Sequence, residues 1–99
     1  MLDVGISDDA RADIDKVVNY ITFEAHNDDA ALAFYWGIHD TIAKLSYLGE
    51  VIAFSQQSYI QKRFGAFART TTYKKMTIVY ETINGVAYVH RVIPSKLIY

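Results

Sequence analysis

Apolar positions change their period midway along the chain. From Ser7 the run "SDDARADIDKVVNYI" carries Ala10, Ile14, Val17, Val18, Ile21 and Ala25 at helical offsets, while Arg11, Asp15, Lys16 and Asn19 fall on the wet side. Ser7 suits an N-cap, and Asp8 and Asp9 occupy the first turn, where the helix dipole favours negative charge. "EAHNDDAA" interrupts this pattern, and Asn27 starts a second helix with two more aspartates behind it. Ala31, Phe34, Ile38, Ile42, Leu45 and Leu48 then recur at helical spacing up to Gly49, which suits a C-terminal cap. The short connection predicts an antiparallel helical hairpin. Trp36 falls off the second stripe, near Asp40, Ala43 and Tyr47, and reads either as a half-buried residue at the core edge or as a partner-docking anchor. Gly37 in mid-helix costs about 1 kcal/mol relative to alanine, which close packing would offset.

Alternation marks the strands. "LDVGIS" predicts a short first strand, and "AFARTTTY", "MTIVYETI" and "VAYVHRVI" predict three more, with Lys74-Lys75 and Asn84-Gly85 as turns. Asn-Gly between two β-branched runs fits a type I′ hairpin, since both central residues need positive φ. A two-residue turn there pairs Ile83 with Val86, Glu81 with Tyr88, Tyr80 with Val89, Val79 with His90 and Ile78 with Arg91. Met76, Ile78, Tyr80, Thr82, Ala87, Val89, Arg91 and Ile93 then share the face expected to pack on the helices, with Arg91 its odd member. "EVIAFSQQSYIQKRFGAF" has no clean period and reads as a loop holding one strand or helical turn. Residues 1–99 thus predict one α+β domain: an N-terminal strand and an antiparallel two-helix hairpin packed on one face of a small antiparallel sheet, whose other face is free. A chain this long supports one core and not two.

Charge divides the same way. Residues 1–50 hold three bases against ten acids, a net of −7, and residues 51–99 hold seven bases against one acid, a net of +6. This asymmetry fits a basic face for nucleic acid or an acidic partner, or mutual neutralisation of the two halves within the fold. With no cysteine and with His26, His39 and His90 scattered, no metal site is expected. No GxGxxG, P-loop, GxSxG or HExxH occurs, so no cofactor is expected either. No apolar run approaches the roughly 20 residues of a membrane helix, and the acidic start lacks the features of a signal peptide, so a cytoplasmic protein is expected. What remains is a basic, tyrosine-rich second half: Tyr59, Lys62, Arg63, Arg69, Tyr73, Lys74, Lys75, His90, Arg91, Lys96 and Tyr99. Cations interleaved with aromatics suit phosphate contacts and base stacking, and they also suit a carboxylate-bearing partner.

The helix opening "SDDARADIDKVVNYI", the second helix "AALAFYWGIHDTIAKL", the "IVYETINGVAYVHRV" hairpin and a basic residue just past the last strand together resemble the RelE/ParE superfamily of toxins from bacterial type II toxin-antitoxin systems. The resemblance implies a growth-arresting toxin that pairs with a cognate antitoxin, in a possible hetero-oligomer, and that acts either on DNA gyrase or on ribosome-bound mRNA. It places Arg69 at the family's basic strand position and Lys96 at its basic position after the final strand. The place of an arginine common in the RelE-like ribonucleases is Thr77 here, Pro94 stands where many members have histidine, and the usual Pro-Gly-Arg stretch is replaced by "SYLGEVIAF". These departures favour ParE-like inhibition of gyrase over metal-independent RNA cleavage. Candidate catalytic residues, should the chain cleave RNA, are Arg69, Arg91, Lys96 and Tyr99. Lys62, Arg63, Lys74 and Lys75 are the candidate target or nucleic-acid contacts, and Trp36 is the candidate for partner docking. A non-toxic protein-binding module is the remaining alternative.

Overall fold

A computed structural model describes all 99 residues. The chain runs β1 (Asp3–Ile6), α1 (Asp8–Asn19), a π-helical turn (Tyr20–Glu24), α2 (Asp28–Ala43), α3 (Leu45–Leu48), α4 (Ser58–Phe64), β2 (Arg69–Tyr73), β3 (Met76–Ile83), β4 (Val86–Pro94) and a 3₁₀ turn (Ser95–Leu97). Both expected caps form: Ser7 Oγ accepts from the Ala10 amide at 2.9 Å and Asn27 Oδ1 from the Ala30 amide at 3.0 Å. The first helix widens into a π-helical turn after Asn19, and Tyr20 and Phe23, which lie off the apolar stripe, face solvent. The second helix is likewise interrupted at Lys44.

Four strands form one sheet in the order β1-β4-β3-β2. The three C-terminal strands are antiparallel, as expected, but β1 joins β4 in parallel and makes the sheet mixed. The parallel pairing follows from connectivity: the helical segment returns the chain so that β2 runs in the direction of β1, and the two hairpin reversals that follow give β4 that direction again. The Asn84-Gly85 turn has φ of 48° and 79°, as a type I′ turn requires.

The helices cover one face, where Ala10, Ile14, Phe34, Ile38, Ile42 and Leu45 meet Met76, Ile78, Tyr80, Ala87, Val89 and Val92. Tyr80 is fully buried and donates its hydroxyl to the Gly49 carbonyl at 2.8 Å, tying the end of the hairpin to the centre of the sheet. Gly49 has ordinary helical dihedrals and not the left-handed ones of a glycine cap. It is needed for closeness, since a Cβ there would come within 2.8 Å of Leu2 Cδ1 and 2.6 Å of the Leu45 carbonyl oxygen. Gly37 is packed as expected: a Cβ would lie 1.8 Å from the Tyr73 hydroxyl, whose ring rests 5.7 Å from that of Phe34.

Two expectations about the sheet are corrected. The hairpin register holds from Ile83–Val86 to Tyr80–Val89, and then a bulge between Val79 and Tyr80 places Arg91 opposite Val79 and Val92 opposite Ile78. One extra residue reverses the alternation. Val92 therefore joins the helix-side core, Ile93 turns to the other face, and Arg91 leaves the core altogether. Nor is the second face free. α4 forms within the region read as a loop holding one strand or helical turn, and Ile60 packs with Ala68, Val79 and Ile93 in a second small core that Tyr59, Phe64 and Ile98 border.

Candidate functional site

The bulge and the end of β1 shape the site together. β1 pairs with β4 only as far as Val89, leaving the rest of that edge of β4 without a strand neighbour. α1 takes its place. The Ser7 hydroxyl donates to the His90 carbonyl at 2.7 Å, and one turn into the helix the Asp13 carboxylate accepts from the Val92 amide at 2.9 Å. The same carboxylate binds the Arg91 guanidinium at two points, Nε at 2.7 Å and Nη2 at 2.9 Å. This pairing, chiefly its hydrogen bonds, raises the Arg91 pKa above its ordinary value. Arg91 owes its place to this anchor, which the bulge makes reachable.

Beside the anchor opens a cleft of about 1130 Å³, walled by α1, α4, the β2–β3 turn and the end of the chain. Its cations are Lys16, Arg63, Lys74, Lys75, Arg91 and Lys96, and its single carboxylate is Asp13. Only Arg91 among these cations is ion-paired; the Lys44–Asp40 pair lies elsewhere, as does the 3.5 Å approach of His90 Nε2 to the Glu81 carboxylate. Arg63 lies over the Tyr59 ring with its guanidinium carbon 3.6 Å from the centroid, which fixes its head at the cleft wall. Lys74 has φ of 52°, so the tight turn pushes two adjacent lysines to the rim. Ser95 returns the chain to that turn by donating its amide to the Lys75 carbonyl at 2.8 Å, and Lys96 follows directly. Pro94 is still the last residue of β4, opposite Met76, and the chain turns after it.

The structure thus brings Arg63, Lys74, Lys75, Arg91 and Lys96 to one place and leaves four other candidates outside it. Arg69 faces its own chain, donating to the Ile52 carbonyl at 2.5 Å and the Glu50 carbonyl at 3.4 Å while stacking on Phe54 at 4.3 Å. It fastens the segment before α4 to β2. Lys62 is exposed on α4 and Tyr99 is 66% exposed after the final turn, and neither lines the cleft. Trp36 is 63% exposed on α2, so it stands clear of the core edge.

Sequence reasoning missed Lys16 and Asp13, which it left among the solvated charges of α1. The signal for Asp13 was its position: three residues after Ala10 and four before Val17, it borders the apolar stripe, where a half-buried acid needs a partner. The pKa of His39 is lowered, by burial first and then by Arg11, against the opposing pull of Asp15, and this residue lies on α2 away from the cleft. The cleft can therefore hold a polyanionic or carboxylate-rich surface through several cations, while its one carboxylate is already engaged.

No protein-family model matches the chain, and no curated protein matches it. Among solved structures, a chain described as "Chromosomal ParDE TA system from P. aeruginosa" superposes with a TM-score of 0.73, at 16% identity, over 95% of this chain and 96% of that one. No helix here is long and apolar enough to cross a membrane. The α+β architecture expected from the sequence is thus a fold that this chain shares with that one over nearly the whole length of both.

Proposed function

We propose that this chain is the toxin of a type II toxin-antitoxin pair, a cytoplasmic protein that arrests growth by binding DNA gyrase and is neutralised by a cognate antitoxin. One observation carries the reading: the full-length likeness in fold to a chain of a ParDE system. Binding is favoured over cleavage because the two arginines best placed in the sequence for phosphate chemistry are engaged within the chain, Arg69 by backbone carbonyls and Arg91 by Asp13. Stabilising a scissile phosphate needs free cations together with a positioned acid or base. The cleft offers cations, but no histidine lines it and its carboxylate is occupied.

Cleavage of ribosome-bound mRNA is the second reading, favoured by the convergence of Arg63, Lys74, Lys75 and Lys96 beside Tyr59. Inducible expression in a bacterial host separates the two. Growth arrest with a DNA-damage response and intact transcripts is the expected result. Arrest with new transcript ends inside translated frames would establish the second reading instead, and undisturbed growth would reject both.

A further inference from the structure

α2 carries a second stripe that its own core does not use. At 3.6 residues per turn, Leu32, Trp36, Ala43 and Tyr47 fall within about 60° of one another on the outer surface. Lys44, where α2 gives way to α3, keeps right-handed helical dihedrals (φ −65°, ψ −15°), so the row continues to Tyr47. Leu32, Trp36 and Tyr47 are 58%, 63% and 56% exposed, and Ala43 is exposed as well. None of them lines the cationic cleft. Trp36 is held edge-on against Tyr35 with ring centroids 5.3 Å apart, which limits the rotamer freedom it would lose on docking.

The order of sizes along the row is large, large, small, large, and its centre lies between His39 and Asp40. Leu32 and Tyr47 are equidistant from that centre, and so are Trp36 and Ala43. An antiparallel copy placed about a two-fold axis there sets Leu32 against the partner copy's tyrosine, and it sets each tryptophan over the small alanine of the other helix. The row is thus its own complement, as a two-fold interface requires. Asp40, beside the axis, is already paired with Lys44 at 3.1 Å, so the two copies do not oppose bare carboxylates. We propose that this outer face of α2 is a homodimer interface, with a second copy of this chain as its occupant. Counting roughly 150–250 Å² for a fully exposed ring, the three large side chains offer on the order of 400 Å² per copy. That is a small interface centred on one tryptophan, and it fits a dimer that dissociates in the micromolar range.

Trp36 is the only tryptophan of the chain, so its fluorescence reports the contact directly. Emission and iodide quenching of the full chain are followed from about 1 to 200 µM, a range that spans micromolar dissociation, alongside sedimentation equilibrium. The expected result is a blue shift with reduced quenching as the mass climbs from 11.3 kDa toward twice that value. Ala43→Arg puts bulk and charge where the partner copy's tryptophan must sit. It is expected to weaken association at least ~10-fold, a change of about 1.4 kcal/mol, with the far-ultraviolet circular dichroism spectrum unchanged. Trp36→Ala, read by sedimentation, loses the dimer as well. A single-chain mass with water-like emission throughout the range would overturn the proposal. So would a blue shift seen only after a different protein, such as a neutralising partner, is added.

Discussion

Replacing Tyr80 by phenylalanine removes one oxygen from the centre of the fold, and its consequences reach from neutral to alkaline pH. The hydroxyl is fully buried and donates at 2.8 Å to the carbonyl of Gly49, itself a buried residue. Tyr80→Phe keeps the packing of the ring but strands that carbonyl, at a cost of about 1–3 kcal/mol. Burial also pushes the Tyr80 pKa up from 10.0 to about 12, with Arg69 pulling weakly the other way. The folded state therefore favours the protonated phenol, so this contribution is complete below pH 10 and is lost as the pH rises through 12. At about 1.4 kcal/mol per unit, a shift of this size is worth roughly 2–3 kcal/mol. Urea unfolding followed by circular dichroism measures both effects. At pH 7 the variant is expected to unfold at lower urea, with the midpoint reduced by about 1 M or more. Between pH 10 and 12 wild type is expected to lose its advantage while the variant lacks that part of the slope. Every other ionisable group is common to both proteins, so the difference isolates Tyr80. Equal stability at pH 7, or a gap that does not shrink above pH 10, would refute the role given to this hydroxyl.

Asp13→Ala leaves the Val92 amide without its acceptor and Arg91 without its partner; a loss of about 1–3 kcal/mol is expected, together with faster hydrogen exchange at Val92, and unchanged exchange there would disprove the edge-capping role. Gly37→Ala gains helix propensity but forces the Tyr73 ring away from its seat, so a net loss of about 1–3 kcal/mol in thermal unfolding is expected, and a neutral or stabilising outcome would show that the seat is loose. Reversing Lys74, Lys75 and Lys96 to glutamate together is expected to abolish growth arrest on induction while leaving the unfolding curve nearly unchanged, since all three are exposed and unpaired. Lys62→Glu, outside the cleft, is expected to leave arrest intact, and the opposite ranking would move the site onto α4.

Much of the architecture was legible because its causes are local. The Ser7 and Asn27 caps, the apolar spacing of α1 and α2, and the Asn84-Gly85 turn each rest on residues within a few positions of one another, so the sequence alone displays them. α4 was not legible as a helix. Its seven residues hold only one fully buried side chain, Ile60, which is too few to establish a period.

From the sequence alone come the α+β class, the helical hairpin, the two-residue turn and the basic character of the second half, because periodicity, capping chemistry and charge are properties of neighbouring residues. The tertiary structure decided which cations act together. A single bulge reversed the alternation beyond Val89, and α1 supplied Asp13 to an edge of β4 that β1 was too short to cover. Arg91 was thereby drawn to α1, while Arg69 was turned onto the segment before α4 and Lys16 was brought to Lys74, Lys75 and Lys96 from the other end of the chain. These outcomes depend on register and on contacts between residues up to 83 positions apart, and no local pattern encodes such contacts.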